Sequence, residues 1–447
     1  MTRPALLEGI QRDVNVIAEA QRALSERLDR FETRLDRIES RVEQIAIQVA
    51  VLAQAGRWTG SAQRRVPVAT ATRDEAPSRV GGNTMAKYFI LACDGGGIRG
   101  YITASVLQTL LGDPSVGDFL PKVSLRAGTS TGSFIALALA GGAAISEIQK
   151  LYQQDSAKQL FTRNPDITGA AMTGHESLLG RIEAELSKWW HMLAKDYEEL
   201  VNAQYTHDGV AKAARSLLGP TTKLSELAPV LVNTLVLDDR RITPSAWMPA
   251  TLSNLPGSTV SSMYAWEAAL CSGAAPIYFP PFRPETAALG YCADGGLYAN
   301  NPSLAAIVSA LAQGASLGDI YLLSLDTGTT YDSMPAAVID RDWGGPLHMG
   351  PLAWLSPRTR TTGTDVTPKF PLLSSLMDAS ASEIAFNAQS LLGPNCMRIT
   401  VPLTGSVPLD DFSNAAYATM EALLASFYSS PAYAAVKTWL QTNFPTG

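Results

Sequence analysis

Five residues, Gly128-Thr129-Ser130-Thr131-Gly132, have the types and order of a nucleophile turn. In G-x-S-x-G the flanking glycines let a strand reverse sharply into a helix, which lifts the serine hydroxyl out of the sheet and sets it at a helix N-terminus. A second stretch, Asp94-Gly95-Gly96-Gly97-Ile98-Arg99-Gly100, offers backbone N–H groups with no side chains in the way, suited to a phosphate or a developing oxyanion. It also fits G-x-G-x-x-G. Asp113 and Asp118, however, lie in a Gly/Pro loop instead of ending a second strand, so dinucleotide binding is disfavoured. A third element, Asp294-Gly295-Gly296, read alone is a turn; read beside the serine, its aspartate is a candidate base.

A serine nucleophile needs a group to take its proton. The chain has four histidines, His175, His191, His207 and His348. Of these, His348 alone follows both the serine and a candidate acid, Asp294 or Asp326, in the order Ser…Asp…His. Its surroundings, WGGPLHMGP, read as a surface loop. A Ser130–Asp–His348 triad therefore stands as an alternative to a two-residue site.

The elements that must position these residues are legible around them. KYFILAC, ending at Cys93, and VSLRAGTS, ending at Ser130, are short apolar runs bounded by turn residues, and YITASVLQTLL and GSFIALALA follow them with helical character. VLVNTLVL and DIYLLSL supply two further strands. Alternation of this kind predicts an α/β fold whose sheet is covered on both faces, with chemistry at the carboxyl ends of the strands.

Ahead of this region, Leu7, Ile10, Val14, Ile17, Gln21, Leu24, Leu28, Phe31, Leu35, Ile38, Val42, Ile45, Val49 and Leu52 step by alternating 3 and 4 residues. A repeat of 3.5 kept this long predicts a left-handed coiled coil. Arg27 and Arg34 at g face Glu32 and Glu39 at e when the chains run parallel, so a parallel homo-oligomer through residues 7–52 is expected. Residues 57–85 lose all periodicity and read as a linker. The stretch from Glu176 to Leu200 is amphipathic, with Trp189 and Trp190 on it; packing against the core is the favoured role and a membrane-facing helix the alternative.

Composition removes several classes. Lys plus Arg number 35 against 41 acidic residues, net −6, so there is no basic footprint for nucleic acid. Cys93, Cys271, Cys292 and Cys396 form no CxxC pair, which points to neither a zinc site nor a disulfide framework. No apolar run spans a bilayer and no secretory leader is evident, so a cytoplasmic protein, peripheral at a membrane, is expected.

Taken in order, DGGGIRG, GTSTG, AALCSGAAPIYFPP and DGGLYANNP resemble the patatin-like phospholipase family over about Lys87 to Asp326. The resemblance implies a three-layer α/β sandwich with a mainly parallel central sheet, and hydrolysis of acyl esters of membrane phospholipids or other acyl lipids without metal or cofactor. By motif position it makes Ser130 the nucleophile within the Gly128/Gly132 elbow, Asp294 the base, and Gly95, Gly96, Gly97 and Arg99 the oxyanion loop. Asp326 in SLDTG stands where the family more often has glycine, and residues 330–375 have no counterpart in its pattern. The expected organisation is a coiled coil over 1–56, a linker over 57–85 and a catalytic domain over 86–447. A lipid-binding scaffold without turnover is the rival reading. Removal of residues 1–56 is expected to lower the mass measured by light scattering, and an unchanged mass would discard the oligomer.

Overall fold

The structure is a computed structural model that describes residues 87–165, 202–239, 245–328, 332–362, 365–403 and 407–445. The heptad segment 1–56, the linker 57–85 and the amphipathic stretch 176–200 lie outside the described residues. All that is described belongs to one compact unit, Asn83–Gly447.

The four expected strands are present as β1 (Tyr88–Cys93), β2 (Leu125–Thr129), β3 (Val230–Asp239) and β6 (Ile320–Leu325). They join β4 (Ala246–Ser253), β5 (Cys292–Asp294) and β9 (Cys396–Ile399) in a seven-stranded sheet of order β4-β3-β2-β1-β6-β9, with β5 beside β3. Neighbours from β3 to β9 along this order are parallel, and only β4 and β5 run against β3. A separate hairpin, β7 (Arg360–Thr362) and β8 (Asp365–Thr367), lies in the region beyond the recognised motifs.

β1 shows why the sheet is internal. Phe89, Leu91 and Cys93 point into one apolar cluster while Ile90 and Ala92 point into another, and all five are buried. Alternation with both faces apolar is the mark of a parallel strand covered on both sides. The larger cluster is completed by α1 (Gly100–Gly112), α2 (Thr131–Ala140), α3 (Ala265–Gly273) and, beyond the short α4 (Gly296–Ala299), by α7 (Asn414–Tyr428) and α8 (Pro431–Asn443). The opposite face is covered by α5 (Ser303–Ala312) and the long α6 (Pro371–Leu392). Among the described residues no helix is long and apolar enough to cross a membrane.

One ion pair, between buried Asp94 and partly exposed Arg398, clamps the sheet where β1 ends. The Arg398 guanidinium on β9 donates to both carboxylate oxygens of Asp94, at 2.9 and 2.5 Å, and to the Ser324 hydroxyl on β6 between them. Burial pushes the Asp94 carboxyl up to about 6 even beside the guanidinium. Removing one partner of such a pair leaves an uncompensated charge in the interior. Arg398→Met is therefore expected to cost roughly 3–5 kcal/mol in urea melts, and Arg398→Met with Asp94→Asn to cost less than Arg398→Met alone. Additive losses would show that the two charges are not coupled.

Candidate active site

The register along β3 brings the serine and the aspartate together. β2 runs parallel to β3 and ends with Thr129 opposite Asn233; β5 runs antiparallel and ends with Asp294 opposite Thr234, the next residue. Because β4 occupies the other edge of β3 over the same residues, β2 and β5 share one edge and meet end to end. Ser130 follows Thr129 at that junction. Asn233, fully buried, ties it by donating through Nδ2 to the Thr129 hydroxyl (3.1 Å) and to the carbonyl of Ala299 on α4 (3.3 Å).

Ser130 has φ 51° and ψ −124°, a backbone state costing on the order of 1–3 kcal/mol for a residue with a side chain. Its own peptide groups hold it there. Its N–H donates to the Ser272 hydroxyl (2.9 Å), and its carbonyl accepts from the Ser133 N–H (2.9 Å) and hydroxyl (2.5 Å). The flanking glycines serve close approach: a Cβ on Gly132 would lie 2.0 Å from the Cys93 carbonyl oxygen, and one on Gly128 2.3 Å from that of Gly132.

Asp294 is buried, and its Oδ1 accepts from the Gly296 N–H at 2.7 Å. Burial pushes its carboxyl up to about 7, opposed by the Ser130 hydroxyl and the Gly296 amide, both of which favour the charged form. The serine is thus close enough to act on the carboxylate, yet Oδ2 has no partner of good hydrogen-bond geometry. Catalytic hydrogen bonds are often long or bent before substrate tightens them.

The glycine loop divides its labour. The Gly95 N–H donates to the Asn300 carbonyl (3.0 Å), and the Gly95 carbonyl accepts from the Thr327 hydroxyl (2.9 Å), so this first glycine is committed to structure. Its expected place among the oxyanion donors is corrected accordingly. Gly96 and Gly97, the latter at φ 58°, keep N–H groups with no acceptor among the described residues. Arg99 is also not a donor toward the site. Its backbone N–H (3.1 Å) and Nε (3.4 Å) both reach the Gly96 carbonyl, while a terminal nitrogen reaches the Gly328 carbonyl (3.4 Å). Since the Gly96 carbonyl and the Gly97 N–H belong to one planar peptide and point opposite ways, Arg99 sets the direction of the Gly97 amide.

An apolar cavity of about 70 Å³ adjoins the serine, lined by Gly97, Ile98, Ser130, Phe134, Leu160, Phe161 and Phe279 among others. The alternative triad is not assembled. His348 is exposed in a short turn, Pro346–His348, and makes no hydrogen bond to Ser130 or Asp294. Asp326 instead accepts from the Gly328 and Val401 amides (2.9 and 3.3 Å), shaping the turn that carries Thr327. Sequence reading assigned no role to Ser272, Asn233, Asn300 or Thr327. Ser272 and Asn300 lie inside the quoted motif blocks; nothing marks Asn233 in the sequence, since its role comes from strand register.

In this α/β protein a strained serine stands at the carboxyl end of a parallel strand, faced by a buried carboxylate and bare amides, an arrangement chemically suited to attack on an ester. Residues 91–307 match the family model for patatin-like phospholipases. The chain is 26% identical over 277 residues to a cGAMP-activated phospholipase of Escherichia coli, covering 58% of this chain and 68% of that protein. A protein of the same description from Vibrio cholerae is 25% identical, with 57% and 70% covered. Among solved structures, VipD from Legionella pneumophila aligns at 15% identity over 76% of this chain and 67% of its own, with a TM-score of 0.35, too slight a likeness to carry an inference.

The raised Asp294 pKa has a stability consequence. The folded state holds the proton longer than the unfolded chain, so stability falls as pH rises from 3.8 to about 7 and stays lowered above. Asp294→Asn carries no charge at either extreme. It is expected to be more stable than the parent by on the order of 2–4 kcal/mol at about pH 8, and by little at about pH 4. Urea melts at both pH values check this; equal effects would mean that the carboxylate is not desolvated.

Proposed function

We propose that the chain is a lipid acyl hydrolase of phospholipase A type, working through Ser130 and Asp294 with an acyl-enzyme intermediate. The observation that supports this reading most is the register of Thr129 and Asp294 against consecutive residues of β3. The match to the patatin-like phospholipase model supports the lipid class of substrate, and the apolar cavity beside Ser130 suits a fatty-acyl chain.

In the proposed sequence, Ser130 Oγ attacks the ester carbonyl carbon and its proton passes to Asp294 Oδ2. The carbonyl oxygen, now negative, accepts from the Gly96 and Gly97 amides, each such donor being worth on the order of 10²–10³ in rate. Collapse breaks the ester bond; the leaving alkoxide takes the proton from Asp294, and the acyl group stays on Ser130. Water then attacks, again losing its proton to Asp294, and the serine departs with that proton as the fatty acid is released. A carboxyl near its ordinary value would be a weak base; burial that brings Asp294 to about 7 matches it to a hydroxyl proton at neutral pH. Arg99 acts as a positioning residue, through the peptide it holds.

A parallel coiled coil over residues 7–52 would set several such sites side by side at a membrane surface, where avidity multiplies weak contacts. Because two relatives are named as activated by cGAMP, activity is best assayed with and without that nucleotide.

Ser130→Ala and Asp294→Ala are each expected to reduce turnover of a fluorogenic acyl ester by at least about 10³-fold, and a fluorophosphonate probe to label Ser130. kcat/KM of the parent should rise with pH through about 7 and then level, since Asp294 must be ionised to accept the proton. Full activity in Asp294→Asn would overturn the dyad, and a folded protein that neither cleaves ester nor labels would favour the scaffold.

A further inference from the structure

Asn300 follows α4, and the fold occupies its polar groups except one. Its N–H donates to the Ser380 hydroxyl on α6 (3.3 Å), its carbonyl accepts from the Gly95 N–H (3.0 Å), and its Nδ2 donates to the Gly95 carbonyl (3.4 Å). The side-chain oxygen, Oδ1, accepts no hydrogen bond among the described residues, although Asn300 is only 5% exposed. A buried acceptor in that state costs free energy unless a ligand supplies a donor.

Two bare glycines show where that oxygen stands. A Cβ on Gly95 would lie 2.2 Å from Asn300 Oδ1 and 2.9 Å from the Ser130 Cβ, and one on Gly296 would lie 3.0 Å from Asn300 Oδ1 and 3.0 Å from Asp294 Oδ1. The asparagine oxygen therefore shares one small space with the serine and the carboxylate. The other oxygen of that carboxylate, Oδ2, is likewise buried and without a partner of good geometry. Asn300 also borders, with Arg99 and Met377, a recess of about 40 Å³ separate from the apolar cavity beside Ser130, so a small polar molecule can arrive without crossing the acyl chain.

Two acceptors on one gap call for a small molecule with two donors. A hydroxyl group carries one proton and water carries two, and buried water bonds to the polar groups a fold leaves open. We propose that Asn300 is a catalytic residue of deacylation: its Oδ1 and Asp294 Oδ2 each accept one proton of the attacking water, which turns the water oxygen toward the acyl carbon on Ser130. The inference rests on the hydrolase reading above and assigns a residue to its second half. The water oxygen bonds to the acyl carbon and passes one proton to Asp294, while the proton shared with Asn300 stays on that oxygen. The bond from the acyl carbon to Ser130 Oγ then breaks, Oγ takes the proton from Asp294, and the fatty acid leaves with the other. Acylation makes no such demand, because Ser130 has a single proton and gives it to Asp294.

The test is a competition between two nucleophiles for one acyl-enzyme. The full chain hydrolyses a fluorogenic acyl ester in water containing methanol, with and without cGAMP, and free acid and methyl ester are counted by mass spectrometry. Both products come from the same intermediate, so the fraction folded and the rate of acylation cancel from their ratio. Methanol has no second proton for Asn300. Asn300→Ala, and Asn300→Leu, which keeps the volume, are each expected to raise the ratio of methyl ester to acid by about tenfold. With an activated ester, whose good leaving group makes deacylation limiting, both variants should lower kcat by about tenfold and keep kcat/KM, which ends at acylation, within about threefold of the parent. Thr327→Val removes the other side-chain donor to the Gly95 carbonyl and leaves Asn300 Oδ1 in place, so it should keep the parent ratio. Asn300 variants that keep the parent ratio or no longer acylate Ser130, or a Thr327→Val that raises the ratio equally, overturn the assignment and leave the hydrolase intact. If the parent releases neither product under either condition, the hydrolase reading falls and this one with it.

Discussion

The constraint on which the site depends is that two strands running in opposite directions share one edge of β3. β2 reaches Asn233 from one side and β5 reaches Thr234 from the other. Neither can advance further without colliding, so both chains must turn away, and the turns carry Ser130 and Asp294. Proximity of the serine and the aspartate follows from backbone hydrogen bonding and needs no flexible side chain to achieve it. Asn233 closes the junction by binding both the strand that precedes the serine and the helix that follows the aspartate. In the proposed reaction, groups held in this way would start with their entropy of approach already lost on folding.

What the arrangement does to the carboxylate is equally consequential. A buried aspartate with one amide partner and an incompletely bonded second oxygen resists ionisation, which is unfavourable for the fold and suitable for a base. The strained backbone of Ser130 is a second local cost. Both are held by surroundings that are well bonded: Ser272, Ser133 and Thr327 satisfy the peptides on either side, and the Asp94–Arg398 pair fixes the strand that feeds the glycine loop. Local rules are broken at Ser130 and Asp294 and kept in the residues around them.

Much of this was legible beforehand because it is written in short-range grammar. Glycine-flanked serine, consecutive glycines after an apolar run, and aspartate before two glycines each imply a backbone shape, and β1, β2, β3 and β6 declare themselves as apolar runs. The rest depends on contacts between distant parts of the chain. β5 is three residues long, too short for any period to show, yet it delivers Asp294. β4 contains Pro249 and has several exposed positions, as an edge strand running against its neighbour can. The separation of Gly95 from Gly96 and Gly97 is set by Asn300, some two hundred positions away, and three identical residue types carry no sign of it. His348 satisfied the order of a triad on paper; only its exposure in the fold removes it.

The glycine loop Gly95–Gly97 is braced by parts of the chain that the family motifs do not include. Ile98 donates to the Leu409 carbonyl at 2.8 Å, Arg99 reaches Gly328, and Asp94 is paired with Arg398. The stretch that carries the recognisable signature is therefore not self-sufficient machinery. A fragment cut where the family match stops at residue 307 would retain Ser130 and Asp294 but lose the contacts that hold the glycine loop. In any graft or fusion, the smallest portable unit must run on into the C-terminal helices.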